Sequence, residues 1–334
     1  MPLALLDEVP VAVVALRGDD VVTANAAAHR LGIVRGTFLV VAELRQSARL
    51  VRRDGLRREL VLTLPSTDLI AARVPVRADV FLLGGDEVGV VVEDQTEAAR
   101  VEAVRRDFVA NVGHEVKTPV GAIALLAEAL KEARDDPEAV ARFVDRIGIE
   151  THRLSRLVTE LLDLSRLQGG EPLPDMSVVS VDDVVDDVAD RMSALADAKS
   201  VKLVVDGERG LSVLGDVGQL EMALANLVDN AISYSAAGTR VTVSVKARED
   251  VVEIAVTDEG VGIAHTDLGR IFERFYRVDP ARSRETGGTG LGLSIVKHVM
   301  NNHGGEVTVW STPGVGSTFT LRLPSVLTTP EPVT

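Results

Sequence analysis

The sequence predicts a multidomain α+β protein, and three patterns along the chain support this prediction. Short Val-rich segments separated by turns occupy residues 1–92, a charged and Ala-rich stretch with a heptad repeat occupies residues 93–168, and helical and strand segments alternate over residues 175–325. Such patterns are typical of a small sheet domain, of paired helices and of an α/β sandwich with largely antiparallel strands. We therefore predict three domains with these boundaries, joined by a linker over residues 169–174 and followed by a disordered tail over residues 326–334.

The composition argues against several classes of function. The chain has no cysteine, which excludes disulfides, thiolate catalysis and Cys-ligated zinc. Its formal net charge of −14 argues against nucleic-acid binding, because a protein that contacts a phosphate backbone needs a basic surface. No stretch approaches the ~20 apolar residues that span a bilayer, and the N-terminus lacks the basic region of a signal peptide. We expect no nucleic-acid partner, no membrane segment in this chain and a cytoplasmic location.

The N-terminal part is predicted to be a sheet with a few small helices. The strand VAVVAL is followed by the turn RGDD, by the strand VVTAN and by an Ala-rich helix that ends near Gly32. Three further segments have the composition of strands, namely RELVLTL, LIAARVPVRADVFLL and EVGVVVED. Pro75 lies inside the second of these, which favours an edge strand or a break because proline has no backbone donor for an inner ladder.

The middle part predicts two long antiparallel helices, each with one apolar stripe. The second helix begins at Pro137, after the turn DDPE, and runs to about Gln168. The first stripe contains Phe108, Val112, Val116, Pro119, Ile123, Leu126 and Leu130, and the second contains Val140, Phe143, Ile147, Leu154, Leu157, Leu161 and Leu164. Because two such helices cannot enclose a full core, we expect a homodimer in which two copies form a four-helix bundle. A hairpin packed on its own chain is the alternative.

The segment GHEVKTP, residues 113–119, carries polar groups opposite the first stripe. At about 100° per residue, His114 points away from the stripe and is not a core histidine; a solvated surface histidine is the alternative. An exposed imidazole beside the carboxylate of Glu115 is suited to attack an electrophile through one nitrogen while the acid holds the other. Thr118 lies one turn further, and Pro119 leaves the carbonyl of Glu115 without its helical donor, which predicts a bend beside the histidine.

Two polar clusters in the last domain have the chemistry of a nucleotide site. Asn226 and Asn230 lie four residues apart on one helix face, where their amide oxygens can reach Mg²⁺ or phosphate-bound water. Asp258 ends a strand and precedes Gly260 and Gly262, so its carboxylate can accept a hydrogen bond from an adenine amino group while the glycines let the backbone approach closely. Taken singly, solvated asparagines and a plain turn are the commoner causes of such clusters.

A glycine-rich loop precedes the last helix. Gly288, Gly290 and Gly292 would expose backbone N–H groups at a helix N-terminus, which is a favourable site for phosphate. No strand of a βαβ unit precedes the loop, so it does not fit a dinucleotide-binding motif, and it lacks the Gly-Lys-Ser/Thr of a P-loop. The polar segment RSRETGG, residues 282–288, suits a mobile lid over a nucleotide.

Five motifs follow one another in an order that resembles the sensor histidine kinases of two-component systems. GHEVKTP, NLVDNA, DEGVGI, IFERFYRVD and GGTGLGL are similar to the H, N, first glycine, F and second glycine boxes of that family. The resemblance covers about residues 93–325, and residues 108–130 are similar to actinobacterial phosphate-responsive sensor kinases. It implies a HisKA-type helical hairpin for dimerisation and a GHKL-type ATP-binding sandwich. Residues 1–92 resemble a PAS sensor domain more loosely.

The resemblance also implies a role for each residue of these motifs. His114 would accept the γ-phosphoryl group of ATP, Glu115 would orient the imidazole and act as base, and Thr118 would position water for dephosphorylation of a partner. Asn230 would ligate Mg²⁺, and Asn226 would lie near the phosphates. The other expected nucleotide contacts are Tyr234 at the base or ribose, Asp258 at adenine with Gly260, Gly262 and Ile263, Phe275 and Arg277 of the F box, and Gly288, Thr289, Gly290, Leu291, Gly292 and Leu293 around the phosphates.

The implied function is an ATP- and Mg²⁺-dependent protein-histidine kinase that passes its phosphoryl group to an aspartate of a response regulator and also dephosphorylates that regulator. Two positions depart from the family. Gly113 stands where the family often has serine, which weakens the helix slightly, and Ser233 stands where the N box often has lysine, so a phosphate contact would be lost. Two alternatives stay open: a general ATPase of the gyrase and Hsp90 superfamily, and a non-catalytic dimeric scaffold or regulator phosphatase that uses Thr118.

Overall fold

The computed structural model folds into two compact units, residues 1–110 and residues 111–334. It describes residues 6–65, 73–133, 135–168, 176–279 and 288–326. The predicted linker at residues 169–174, most of the predicted lid and all but the first residue of the predicted tail lie outside the described residues. The predicted domain boundaries stay predictions.

The first unit is built on one antiparallel sheet with small helices, as predicted. Its elements are β1 (Ala12–Arg17), β2 (Asp20–Ala24), α1 (Ala26–Arg30), β3 (Val34–Arg35), β4 (Phe38–Leu39), α2 (Ala42–Asp54), β5 (Arg58–Pro65), β6 (Arg73–Gly84) and β7 (Glu87–Asp94). Within the described residues the strand order is β3-β4-β2-β1-β7-β6-β5. Every second side chain of β1 is buried in the core, which is the alternation that its sequence predicts.

Helix α2 has no counterpart among the predicted elements, although its signals are present in the sequence. Leu44, Ala48 and Val51 recur at helical spacing, and all three are buried against the sheet core. Gly55 then ends the helix in the left-handed conformation, with φ of 71°, and its N–H donates to the carbonyl of Val51.

The prediction that Pro75 marks an edge strand or a break is wrong. Strand β6 is an inner strand between β7 and β5, and Pro75 lies within it. The carbonyl of Pro75 accepts a hydrogen bond of 2.8 Å from Gln95, just beyond the end of β7, and the pairing with β7 begins one residue later at Val76. Because the N and C=O of one strand residue face the same side, the missing donor of Pro75 lies where the β7 ladder has already ended.

The predicted helical hairpin is present in α3 (Thr96–Glu132) and α4 (Pro137–Gln168). Every residue of the two predicted apolar stripes is buried or half-buried. Pro137 is the first residue of α4, and the Asp136 carboxylate caps this helix by accepting a hydrogen bond from Ala139 N. Helix α3 continues through Pro119, which is buried, so the proline does not end the helix; the predicted bend stays a prediction.

The rest of the second unit forms the predicted α/β sandwich. Its elements are β8 (Ser177–Ser180), α5 (Val181–Ala198), β9 (Lys202–Gly207), β10 (Ser212–Gly215), α6 (Val217–Tyr234), β11 (Arg240–Arg248), β12 (Val251–Asp258), α7 (Gly292–Asn302), β13 (Glu306–Thr312) and β14 (Gly316–Pro324). One sheet has the order β13-β14-β12-β11-β9, in which only the β9–β11 pair is parallel among the described strands. The small β8–β10 pair was not predicted.

A buried histidine joins the start of α6 to the end of α7. Nδ1 of His303 lies 2.8 Å from the carbonyl oxygen of Val299, and Nε2 lies 3.0 Å from the backbone N of Asp216, the N-cap residue of α6. Because the backbone N–H can only donate, Nε2 accepts and the proton is on Nδ1. Through these two contacts the ring links the two helices that carry the candidate site.

Candidate functional site

The motifs of the last domain meet around one cavity of about 230 Å³ in the second unit. Strand β12 brings Asp258 to its edge, α6 presents Asn226 and Asn230, and the glycine-rich loop enters from the start of α7. The predicted nucleotide contacts that line it are Asn226, Asn230, Tyr234, Asp258, Gly262, Ile263, Arg277, Gly288, Thr289, Gly290, Gly292 and Leu293. Residues from four separate sequence motifs thus share one wall.

Three of the predicted contacts, Gly260, Phe275 and Leu291, are not part of the cavity wall. Gly260 N donates a hydrogen bond of 2.8 Å to Asp258 Oδ1, and Leu291 is fully buried as the N-cap residue of α7. Phe275 N donates to the carbonyl of Gly290 over 2.8 Å. These residues therefore support the wall from behind instead of facing the cavity.

Asp258 is a buried acid at the end of β12. Its Oδ1 accepts hydrogen bonds from Gly260 N at 2.8 Å and from Ser317 N at 3.2 Å. Burial raises the pKa of Asp258, and the two backbone donors lower it in part. Within the described residues no donor bonds Oδ2, so this oxygen is available to a ligand with a hydrogen-bond donor.

The side chains of α6 divide into a buried apolar face and a polar face. Asn226 and Asn230 line the cavity, and Nδ2 of Asn226 donates to the carbonyl of Met222. Ser233 lies seven residues after Asn226, and its hydroxyl receives a hydrogen bond of 3.3 Å from Nζ of Lys199. An ammonium group thus lies next to the N-box position that lacks lysine, although it comes from the end of a different helix.

His114 lies in a second cleft, which has a volume of about 320 Å³, and the histidine is exposed to solvent. The cleft is lined by Asn111, His114, Glu115, Arg270, Glu273, Arg274, Phe275 and Tyr276. Helix α3 supplies the first three residues, and the segment after β12 supplies the others. The exposed imidazole therefore faces a segment that carries arginines.

Glu115 and Thr118, the other two candidate residues of the GHEVKTP segment, hydrogen-bond to groups other than the imidazole of His114. Glu115 Oε2 receives hydrogen bonds from Arg153 at 3.2 Å and from Arg277 at 3.0 Å. Within the described residues, Glu115 forms no hydrogen bond with the imidazole of His114. The hydroxyl of Thr118 donates to the carbonyl of His114 over 3.1 Å. The predicted contact between Glu115 and the imidazole is therefore absent from this conformation.

The sequence did not point to four charged residues of this region, namely Arg153, Arg156, Glu160 and Asp229. Arg153, Arg156 and Glu160 lie on one face of α4, where Arg156 pairs with Asp229 at 3.5 Å. The hydroxyl of Thr289 donates a hydrogen bond to Glu160 Oε2, and Glu160 lines the nucleotide cavity. Arg153 and Glu160 leave a signal in the sequence, because these two charged residues are seven positions apart and directly precede members of the apolar stripe.

Burial changes the protonation of Glu160. Loss of solvation raises the pKa of the carboxyl group to about 7, against the lowering effects of the Thr289 hydroxyl and of Arg156 and Arg277. Asp229 adds to the rise because like charges disfavour ionisation. Since the folded-state pKa lies above the unfolded one, the stability that this group contributes is complete below about pH 4 and is lost as the pH rises through about 7.

Replacing Glu160 with glutamine is expected to flatten the pH dependence of stability. In the unmodified chain, the buried ionisation should cost on the order of 1 kcal/mol between about pH 6 and about pH 8. The measurement is the thermal unfolding midpoint at both pH values and at one protein concentration. Asp145→Asn, an exposed acid on the same helix, is the matched control and should behave as the unmodified chain. An equal pH slope in Glu160→Gln would contradict the assignment.

Two features of the cavity fit a bound nucleotide. Nε of Arg277 is buried and has no hydrogen-bond partner among the described residues, and a phosphate oxygen would supply the acceptor that such a donor needs. A Cβ added at Gly292 would lie 2.7 Å from Asn226 Oδ1, so the glycine lets the start of α7 approach α6. Within the described residues no three His, Asp or Glu side chains gather as a metal site.

Comparison with known families agrees with this geometry. Residues 104–170 match the family described as His Kinase A (phospho-acceptor) domain, and residues 215–327 match the family described as Histidine kinase-, DNA gyrase B-, and HSP90-like ATPase. The first match contains most of the hairpin with its exposed histidine, and the second contains most of the residues that line the nucleotide cavity. The chain belongs to the sensor histidine kinases of two-component systems.

Individual relatives are consistent with this family. The chain is 49% identical over 310 residues to the Sensor-like histidine kinase SenX3 of Mycolicibacterium smegmatis, an alignment that covers 92% of this chain and 80% of that protein. It is 34% identical over 260 residues to the Phosphate regulon sensor protein PhoR of Pseudomonas aeruginosa, with 78% of this chain and 58% of that protein covered.

One solved structure shares the fold over most of the chain. This is the histidine kinase ThkA in complex with the response regulator protein TrrA, with a TM-score of 0.56 and 20% identity, covering 97% of this chain and 98% of that one. No helix within the described residues combines the length and the apolar character needed to cross a bilayer.

Proposed function

We propose that this sensor histidine kinase phosphorylates His114 with ATP and Mg²⁺ and passes the phosphoryl group to an aspartate of a response regulator. The observation that carries the proposal is the pairing of two sites in one unit. An exposed histidine lies in a cleft that Phe275 and Tyr276 of the F box help to line, and Arg277 of the same box lines the nucleotide cavity. A phosphoryl acceptor and a nucleotide cavity are therefore joined by one short segment of chain.

The residues of the cavity suit the separate parts of the nucleotide. Asp258 offers Oδ2 to the adenine amino group, and Asn226 with the backbone N–H groups around Gly290 suits the phosphates. Asn230 offers an amide oxygen to Mg²⁺, which in proteins often takes only one or two side-chain ligands because phosphate and water oxygens complete its shell. ATP supplies the phosphoryl group; positioning and neutralisation of charge are left to the protein.

The hairpin residues suit the acceptor side of the reaction. One imidazole nitrogen of His114 would attack the γ-phosphorus as a nucleophile, and ADP would leave with the bridging oxygen. The proton on the other nitrogen needs an acceptor, for which Glu115 is the adjacent carboxylate. Thr118 lies one turn away on the same helix and suits a water that hydrolyses the phosphoryl group on the regulator. The exposed part of the hairpin is the proposed dimer and regulator surface.

The chemical stability of the label tests this function. After incubation of the full chain with Mg²⁺ and γ-³²P-ATP, we expect label on His114 that is lost in acid and kept in base, as a phosphoramidate requires. Mapping the labelled peptide identifies the residue. Acid-stable label, or label on another residue, would exclude the proposed reaction.

Two other activities make different predictions in the same experiment. A general ATPase of the gyrase and Hsp90 type would release phosphate without labelling the chain, and it gives no role to the cleft around His114. A regulator phosphatase would bind the regulator and use Thr118 but label itself poorly.

A further inference from the structure

Two arginines from different elements meet one oxygen of Glu115. Arg153 of α4 and Arg277 of the F box each donate a hydrogen bond from Nη2 to Glu115 Oε2, over 3.2 Å and 3.0 Å respectively. Each arginine side chain is only 9% exposed, and that of Glu115 is 26% exposed. Charge-assisted hydrogen bonds that are shielded from water are strong, so these two contacts determine where the carboxylate points.

The two arginines differ in what else they can reach. Arg277 lines the nucleotide cavity, and its buried Nε lacks an acceptor among the described residues. Arg153 is not part of the cavity wall, and within the described residues Glu115 is its one ion-pair partner. A buried charge without its partner is strongly unfavourable, so Arg153 is committed to Glu115, whereas Arg277 has a second use.

We propose that Arg153 is a positioning residue that holds the Glu115 carboxylate in place for His114 when Arg277 turns to the nucleotide. The inference rests on the proposed function, since it gives Glu115 a part in phosphorylation. Arg153 acts only through Glu115: its guanidinium reaches from α4 to α3 and fixes the orientation of the carboxylate. Without Arg153, Glu115 would lose its last charged partner at the moment when the reaction needs it.

The rate of phosphohistidine formation in the full chain, measured at a series of ATP concentrations, tests this role. Here kcat is the maximal first-order rate constant of labelling, and KM is the ATP concentration that gives half of it. Arg153→Met is expected to lower kcat about tenfold or more and to leave KM for ATP within about twofold, because Arg153 does not line the nucleotide cavity. Arg153→Lys keeps the charge and should recover part of the loss. Arg146→Met, an exposed arginine on the same helix, is the control and should match the unmodified chain.

A double-variant cycle separates positioning from general damage to the fold. Glu115→Gln/Arg153→Met is expected to be no slower than Glu115→Gln alone, because Arg153 then has no carboxylate to hold. A further loss in the double variant, a rise of KM in Arg153→Met, or an unchanged kcat in it would each overturn the inference. If the unmodified chain forms no phosphohistidine, the proposed function itself fails and the inference falls with it, so the two failures are distinguishable.

Discussion

Replacing His114 with glutamine is expected to abolish transfer of the phosphoryl group to the chain while nucleotide binding persists. Glutamine has no ring nitrogen that can attack phosphorus, so the loss should be complete. The imidazole is exposed on α3 and does not line the nucleotide cavity, so the affinity for ATP should stay within about twofold. Labelling with γ-³²P-ATP and calorimetric titration with ATP measure the two properties on the same preparation.

His152→Gln is the matched control for this experiment. His152 is an exposed histidine on the other helix of the hairpin, with Nδ1 at 2.9 Å from the carbonyl oxygen of Gly148. We expect this variant to be labelled like the unmodified chain. Undiminished labelling of His114→Gln would refute the assignment of the acceptor, and loss of labelling in both variants would point to disruption of the hairpin.

Replacing Asp258 with asparagine is expected to weaken ATP binding by about 10- to 100-fold. Two backbone N–H groups hold one oxygen of this side chain, so the amide of asparagine must turn its carbonyl to Gly260 and Ser317 and its NH₂ group to the cavity. The NH₂ group would then face the adenine amino group, and two donors cannot bond each other. The measurement is the dissociation constant for ATP, compared with that for GTP, whose base presents a carbonyl at the corresponding position.

The ratio of the dissociation constants for ATP and GTP tests whether Asp258 contacts the base. The preference for ATP over GTP should fall in Asp258→Asn, because the new donor suits a carbonyl acceptor. Glu259→Gln, an exposed acid at the next position, removes the same charge and should change neither constant. Equal weakening of both nucleotides would mean that Asp258 supports the cavity without contacting the base.

Regular elements were predictable where local pattern and tertiary role agree. Strand β12 alternates because one face packs on the helices, and α6 keeps its apolar residues on one side while Asn226 and Asn230 share the other. The glycine loop was placed at a helix start by its composition alone, and α7 begins at Gly292. These signals lie within about ten residues of the feature that they determine.

Contacts between distant segments left no local pattern in the sequence. Nothing near Glu160 shows that it meets Thr289, 129 residues later, and nothing near Glu115 shows that Arg277 reaches it instead of a phosphate. Pro75 was misplaced for the same reason, because its tolerance depends on where a neighbouring strand ends. Charged residues on a helix are usually solvated, so the partners of Arg153 and Glu160 become visible only when the hairpin and the sandwich are seen together.

The half-buried stripes of the hairpin have a consequence for the amount of protein present. If a second copy completes their burial, part of the free energy of folding becomes a free energy of association, which depends on concentration through mass action. Dilution would then weaken the hairpin itself as well as separate the copies. The abundance of the chain is in that case one of the variables that determine how much of it is folded and competent to respond.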